Sequence, residues 1–234
     1  MKLMDLCSET LPGGLDLSEE ILIGAKLCGE IPRLAAEHVG RRPLWLADPR
    51  TWDALGRADT LRVSGRPENG PGLHLLPDEP HANTEQIGLT CAAVEAGGFS
   101  GIIAVGAGTV NDIAKMAATL SGVPYMAFGT AASMNGYASG IAAILVDGLK
   151  TTIAARPPRA IILDSEVLCQ APPALAAAGL GDLLSKPVST ADWWLGNRLE
   201  GSGFEALPGR IVDEAVAHAT EHAAGLPAGD RDAH

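Results

Sequence analysis

The segment Gly101-Ile-Ile-Ala-Val-Gly106 contains no polar side chain and passes through a glycine turn straight into the helix-spaced stretch Val110 to Leu120. An apolar run of this length fits a strand covered on both faces, and such strands occur in parallel sheets flanked by helices. The alternation continues on either side. Ile21 to Gly24, Pro43 to Asp48, Val123 to Phe128 and Ala160 to Leu163 read as strands. Leu61 to Ser64 and Leu73 to Leu76 are weaker ones, separated by the Gly- and Pro-rich loop Gly65 to Gly72. Lys26 to Val39, Thr51 to Arg57 and Asn83 to Ala96 read as helices. Thr51 or Asp48 is placed to cap the second, and Gly97-Gly98 stops the third. Ile141 to Val146 and Lys150 to Ala154 are expected to form a hairpin about Asp147-Gly148. The fold class is α/β with a parallel sheet.

After Asp164 the character changes. Pro172 to Leu184, Val188 to Leu199 and Ile211 to Ala224 read as helices, before a polar end from Gly225 to His234. The expected division is therefore an α/β part, residues 1–164, and a helical part, residues 165–234. Hydrophobic residues make up 47% of the chain, enough for a sizeable core. A formal charge of −11 argues against nucleic acid or an anionic membrane surface as partner. Aromatics at 4% leave little for stacking bases. Cys7, Cys28, Cys91 and Cys169 are scattered, without the spacing of a zinc cluster or disulfide framework, and read as reduced core thiols. The N-terminus carries acids that a secretory leader would not, and no run resembles a membrane span, so a cytoplasmic protein is expected.

Three segments carry chemistry. In Val105-Gly-Ala-Gly-Thr-Val-Asn-Asp112, glycines at a strand-to-helix junction let backbone N–H groups approach a phosphate, with the positive end of the helix dipole behind them. Thr109 adds a hydroxyl, and Asn111 or Asp112 is placed to brace the turn. A tight packing turn explains the same residues equally well, because the spacing is not the dinucleotide fingerprint G-x-G-x-x-G. Phe128-Gly-Thr-Ala-Ala-Ser-Met-Asn-Gly-Tyr137 follows the next strand and should face the same crevice, offering Thr130, Ser133 and Asn135. In Gly179-Leu-Gly-Asp-Leu-Leu-Ser-Lys186, Asp182 stands on an apolar helix with Lys186 one turn on. Spacing alone favours a plain i,i+4 ion pair over a metal ligand.

Together with Asp48-Pro-Arg-Thr51, these segments occur in an order that resembles the sn-glycerol-1-phosphate dehydrogenase family, of the iron-containing alcohol dehydrogenase, glycerol dehydrogenase and dehydroquinate synthase superfamily. The resemblance covers roughly residues 20 to 200, and Ser133-Met-Asn-Gly-Tyr-Ala-Ser139 narrows it to the glycerol-phosphate branch. It implies a Rossmann-like nicotinamide-binding domain followed by an all-helical metal domain. Gly106, Ala107, Gly108, Thr109 and Asp112 would form the pyrophosphate turn, Asp48 would take the adenosine ribose, and Thr130 and Ser133 would hold the nicotinamide half. Asn135 falls at a substrate-associated position where many relatives carry Asp, and Lys186 is a candidate cation for a substrate phosphate; these two are the expected catalytic residues. Asp182 matches a carboxylate that helps bind a catalytic zinc, which would polarise the carbonyl of dihydroxyacetone phosphate while NAD or NADP delivers hydride.

The same resemblance calls for two histidines beyond Asp182. His218 and His222 share a helix face, but Val216-Ala-His-Ala-Thr-Glu-His222 does not resemble the family's ligand segments and reads as a solvated surface. The expectation is a chain that stops inside the helical domain and lacks part of the metal site. The nearest alternatives are a glycerol dehydrogenase-like enzyme and a non-catalytic nucleotide-binding fragment. The expected partner is a small phosphorylated triose or polyol, and bare apolar surface on the helical part favours a homo-oligomer. Asp48 favours NAD by repelling a 2′-phosphate, whereas nearby Arg50 attracts one.

Overall fold

A computed structural model of the chain describes residues 17–58 and 72–228. The strands are β1 (Glu20–Gly24), β2 (Pro43–Ala47), β3 (Leu73–Leu75), β4 (Gly101–Gly106), β5 (Tyr125–Gly129), β6 (Ile141–Val146), β7 (Leu149–Ala154) and β8 (Ala160–Asp164). All but β6 and β7 join one parallel sheet in the order β1-β8-β5-β4-β2-β3. β6 and β7 form a separate antiparallel hairpin that turns on Asp147-Gly148. The helices are α1 (Ile31–His38), α2 (Pro49–Ala58), α3 (Thr84–Gly97), α4 (Gly108–Ser121), α5 (Ser165–Leu168), α6 (Pro173–Leu184), α7 (Lys186–Glu200) and α8 (Ala206–His222).

The apolar strands are explained by a core on each face of the sheet. Leu44, Leu46, Ile102, Ala104, Tyr125, Ala127 and Ile161 pack on one side with Val110 and Ile113 of α4 and Ile87 and Val94 of α3. Their alternate neighbours Trp45, Ala47, Ile103, Val105, Met126, Phe128 and Ile162 pack on the other with Ile31 and Leu34 of α1, Leu55 and Val167. Every residue of β4 and of β5 is buried, which is why neither shows a polar alternation.

The topology creates one crevice. From β2 the chain goes to the edge strand β3, then returns past β2 to β4 on its other side, so the strand order reverses between β2 and β4. Ligands of open parallel sheets bind outside the carboxyl ends of strands at such a reversal.

Several boundaries differ from the sequence expectation. The helix expected from Lys26 starts as a 3-10 turn at Cys28–Glu30 and becomes α-helical only at Ile31. Lys26 adopts a left-handed φ of 61°, and the Asp164 carboxylate takes the N–H groups of Lys26 (3.2 Å) and Leu27 (2.7 Å), a partner 138 residues away from Lys26. Pro32 then stands in the first turn, where a missing N–H costs nothing. The four-residue α5, also capped by Asp164 through the Glu166 N–H (3.0 Å), was not expected. α8 begins at Ala206, ahead of the expected Ile211, and a 3-10 turn follows it over Ala223–Ala228. The expected strand Leu61 to Ser64 lies outside the described residues, as do Cys7 and the rest of the first sixteen residues. No strand follows Asp164 among the described residues. No helix of the described residues is long and apolar enough to cross a membrane.

Candidate active site

The crevice is a cleft of about 820 Å³. Asp48 and Thr51 wall it at the end of β2, Ala107 to Val110 at the end of β4, and Thr130, Ser133 and Met134 at the end of β5. Glu79 to His81 and the segment from Gln170 to Leu175 close the remaining sides.

Its centre is the start of α4. Ala107 is the N-cap and makes no side-chain capping bond; the first intrahelical bond runs from the Asn111 N–H to the Ala107 carbonyl at 3.0 Å. The N–H groups of Gly108, Thr109 and Val110 therefore have no partner within the helix, and the dipole adds partial positive charge at the same place. α2, α3 and α5 begin under an acceptor side chain, from Asp48, Asn83 and Asp164, whereas α1, α6, α7 and α8 share the uncapped start of α4, which is set apart by lining the cleft. Gly106 makes the junction sharp. A Cβ there would lie 2.5 Å from Cβ of Val110, inside the packed turn.

Asp48, 6% exposed, does two jobs. Its Oδ1 accepts the N–H groups of Arg50 (2.9 Å) and Thr51 (3.0 Å), which settles Asp48 over Thr51 as the cap of α2. The same carboxylate lines the cleft, one strand away from the α4 turn. Arg50 lies 3.7 Å from both Asp78 and Glu79 in exposed ion pairs. On the other side of the turn, the Thr130 N–H donates to the Gly106 carbonyl at 3.3 Å, bringing the β5 loop against the β4 junction.

Five sequence-predicted site residues, Gly106, Asp112, Asn135, Asp182 and Lys186, lie outside the cleft lining. Asp112 does not brace the glycine turn: its Oδ2 accepts the Ala143 N–H at 3.3 Å, joining α4 to the hairpin. Burial raises its pKa, against the opposing pull of Lys115. The Asn135 N–H donates to Oδ2 of Asp182 at 3.0 Å, and Lys186 Nζ meets Oδ1 of the same carboxylate at 3.0 Å. Burial pushes the Asp182 carboxyl up, but the Asn135 N–H and Lys186 together bring it below its ordinary value. Lys186 is thus the ion-pair partner that spacing suggested, and Arg198, another cation of α7, stacks 5.2 Å over Trp194. Glycine at 179 is what allows α6 to press on the loop, since a Cβ there would fall on the Ala132 carbonyl oxygen.

For a metal, catalytic zinc takes three protein ligands. Among the described residues, the converging group of three His, Cys, Asp or Glu side chains is Glu20, Glu37 and His38 on β1 and α1, and Arg33 already pairs with both glutamates. Asp182 belongs to no such group. His218 and His222 stack at 4.5 Å on the exposed face of α8. The described residues therefore do not assemble a metal site around Asp182.

Further ties, unmarked by any sequence motif, lie beneath the loop. Lys115 is 0% exposed, and its Nζ donates to the Gly136 carbonyl (3.2 Å), Ser139 Oγ (2.9 Å) and the Ile141 carbonyl (2.9 Å). Tyr137 OH reaches the carbonyls of Ala131 (2.9 Å) and Gly106 (3.3 Å). The available signal was a lysine among Ile113, Ala114, Met116 and Ala117, a charge on an apolar helix of the same kind that drew notice to Asp182.

The chain is 34% identical over 220 residues to a glycerol-1-phosphate dehydrogenase [NAD(P)+] of Bacillus velezensis, covering 90% of this chain and 54% of the relative. It is 33% identical over 192 residues to the enzyme of the same name from Thermococcus kodakarensis, covering 81% of this chain and 53% of that one. The chain thus spans about half the length of the curated relatives it matches. The crystal structure of glycerol dehydrogenase from Schizosaccharomyces pombe shares the fold, with a TM-score of 0.76 at 20% identity over 96% of this chain and 57% of that one. Residues 22–172 match the family profile described as iron-containing alcohol dehydrogenase, so the chain belongs to the iron-containing alcohol dehydrogenase family.

Proposed function

We propose that this chain binds NAD or NADP across the β2–β4–β5 crevice and serves an oxidoreductase interconverting dihydroxyacetone phosphate and sn-glycerol 1-phosphate. The observation that carries the reading is the uncapped start of α4 opening into the cleft. A diphosphate there accepts from the N–H groups of Gly108, Thr109 and Val110, with the Thr109 hydroxyl beside them. Neighbouring strands stand about 4.8 Å apart, so β2 and β5 end on opposite sides of this point, about a nucleoside's reach from it. The ribose of the adenosine half meets Asp48, and the nicotinamide half lies along Thr130 and Ser133. The bound nucleotide supplies a hydride to, or takes one from, the substrate carbon; the chain's residues bind it, orient it and narrow the water around it. Relatives named for glycerol-1-phosphate favour the phosphorylated substrate over glycerol.

The family also implies a divalent metal, for which Asp182 is the candidate ligand. Since the described residues do not complete that site, no step is assigned to a metal. Asn135 is the candidate substrate contact, and Lys186 acts by holding Asp182. The division at Asp164, a cytoplasmic location, and self-association through the exposed Val188, Trp194, Leu195 and Leu199 of α7 belong to the same proposal.

Titration with NADH and NADPH, followed by nicotinamide fluorescence, tests the binding step, and reduction of dihydroxyacetone phosphate against dihydroxyacetone tests the substrate. Saturable binding with a preference for the phosphorylated ketone is expected. No binding of either nucleotide would remove the reading.

A further inference from the structure

We propose that Lys115 is a positioning residue: its buried ammonium, bonded to Gly136, Ser139 and Ile141, fixes the loop that receives the nicotinamide half of the cofactor relative to the helix that receives the diphosphate. The inference rests on the nucleotide reading above and extends it to residues that never touch the ligand.

Lys115 stands two turns into α4, the helix whose first turn faces the diphosphate. Its three ammonium protons have three acceptors, all on the segment leaving the β5 loop and entering β6. Ser139 Oγ, which accepts from Lys115, is itself 2.9 Å from the Gly136 carbonyl and 3.1 Å from that of Ile141, so the four groups form one closed cluster. Tyr137 lies inside this segment and ties it back to Ala131 and Gly106. The loop bearing Thr130, Ser133 and Met134 is therefore anchored at both ends to the β4–α4 unit, by the Thr130 N–H at its start and by Lys115 at its finish. Charge-assisted bonds in a dry interior are strong and directional. Asp112, 4.0 Å from Nζ, is the nearby carboxylate, so the ammonium is held chiefly by neutral acceptors whose positions it in turn dictates. Cutting this tie should free the loop without touching the α4 N-terminus or Asp48.

The test compares two ligands: NADH, which spans the whole crevice, and ADP-ribose, which lacks the nicotinamide ring. In Lys115→Met, NADH binding should weaken by at least about tenfold, as expected for lost bonds to a charged group, while ADP-ribose changes by less than about twofold. The NADH fluorescence change on binding should shrink in parallel. Ser139→Ala keeps the lysine and removes one acceptor, so it should show a smaller loss for NADH alone, and Ser139→Thr, which restores the hydroxyl, should bind as the parent does. Where Lys115→Met fails to fold, the serine pair decides. Equal loss of both ligands, or no loss of either, overturns the positioning role and leaves the nucleotide reading standing. A parent protein that binds neither ligand removes that reading and this inference with it.

Discussion

Asp182 on α6 accepts the backbone N–H of Asn135 at 3.0 Å, so a carboxylate from the helical part holds the loop that forms one wall of the cleft. The other oxygen of Asp182 is occupied by Lys186. The two contacts differ in kind. One fixes backbone, whereas the other joins two half-exposed side chains. Asp182→Ala should cost about 0.5–1.5 kcal/mol of stability by removing the net gain of this bond, since the exposed N–H is open to water. Lys186→Met should cost less than about 1 kcal/mol, as partly exposed ion pairs do. Denaturant unfolding of the two variants checks the order; a larger loss for Lys186→Met would contradict it.

Gly106 and Gly108 lie two residues apart and should respond differently to a side chain. At Gly106 a Cβ would strike the branched carbon of Val110, so Gly106→Ala should destabilise by about 1–3 kcal/mol. At Gly108 the nearest atom to a new Cβ is the flexible Met134 sulfur at 3.3 Å, so Gly108→Val should leave the fold close to the parent's. It should nevertheless weaken NADH by about tenfold or more, since bulk is added where the diphosphate must approach. Thermal melts and fluorescence titration separate the two outcomes.

Asp48 combines a cap with a charge, and one substitution divides them. Asp48→Asn keeps an oxygen for the N–H groups of Arg50 and Thr51 but removes the negative charge. NADH should weaken more than NADPH in this variant, narrowing any preference between them. Asp48→Ala should show the same shift and, in addition, lose about 0.5–2 kcal/mol of stability with the cap. Equal effects on both nucleotides in Asp48→Asn would exclude a ribose contact.

The Glu20 carboxyl is held below its ordinary value chiefly by its bond to Arg33, against burial and with help from His38. Because the folded state lowers this pKa, the pair's contribution is complete above the unfolded-chain value near pH 4.5 and is lost as pH falls through the folded value. Glu20→Gln should therefore be less stable than the parent by up to about 1 kcal/mol at pH 7, with the gap closing in acid. Melting temperatures across pH 7 to 3 should converge; a constant gap would assign the loss to packing instead.

The sheet was legible because β4 and β5 are buried on both faces and flanked by glycine, so apolar content alone marks them. The hairpin was legible from Asp147-Gly148, and the crevice from the position of the α4 turn. What stayed hidden depends on direction and distance. The start of α1 is governed by Asp164, on the neighbouring strand of the sheet but far away in sequence. Asp112 could as well have faced the turn as the hairpin, and only the packing of α4 against β6 decides it. Lys115 carried the same signal as Asp182, but its partners are mostly main-chain carbonyls, which have no sequence signature.

The alanine that opens α4 has a thermodynamic consequence. A helix capped by its own side chain must surrender that contact before an outside anion can enter, and the exchange cancels much of the gain. At α4 no side chain makes that contact, so an entering anion displaces no capping bond at this helix start.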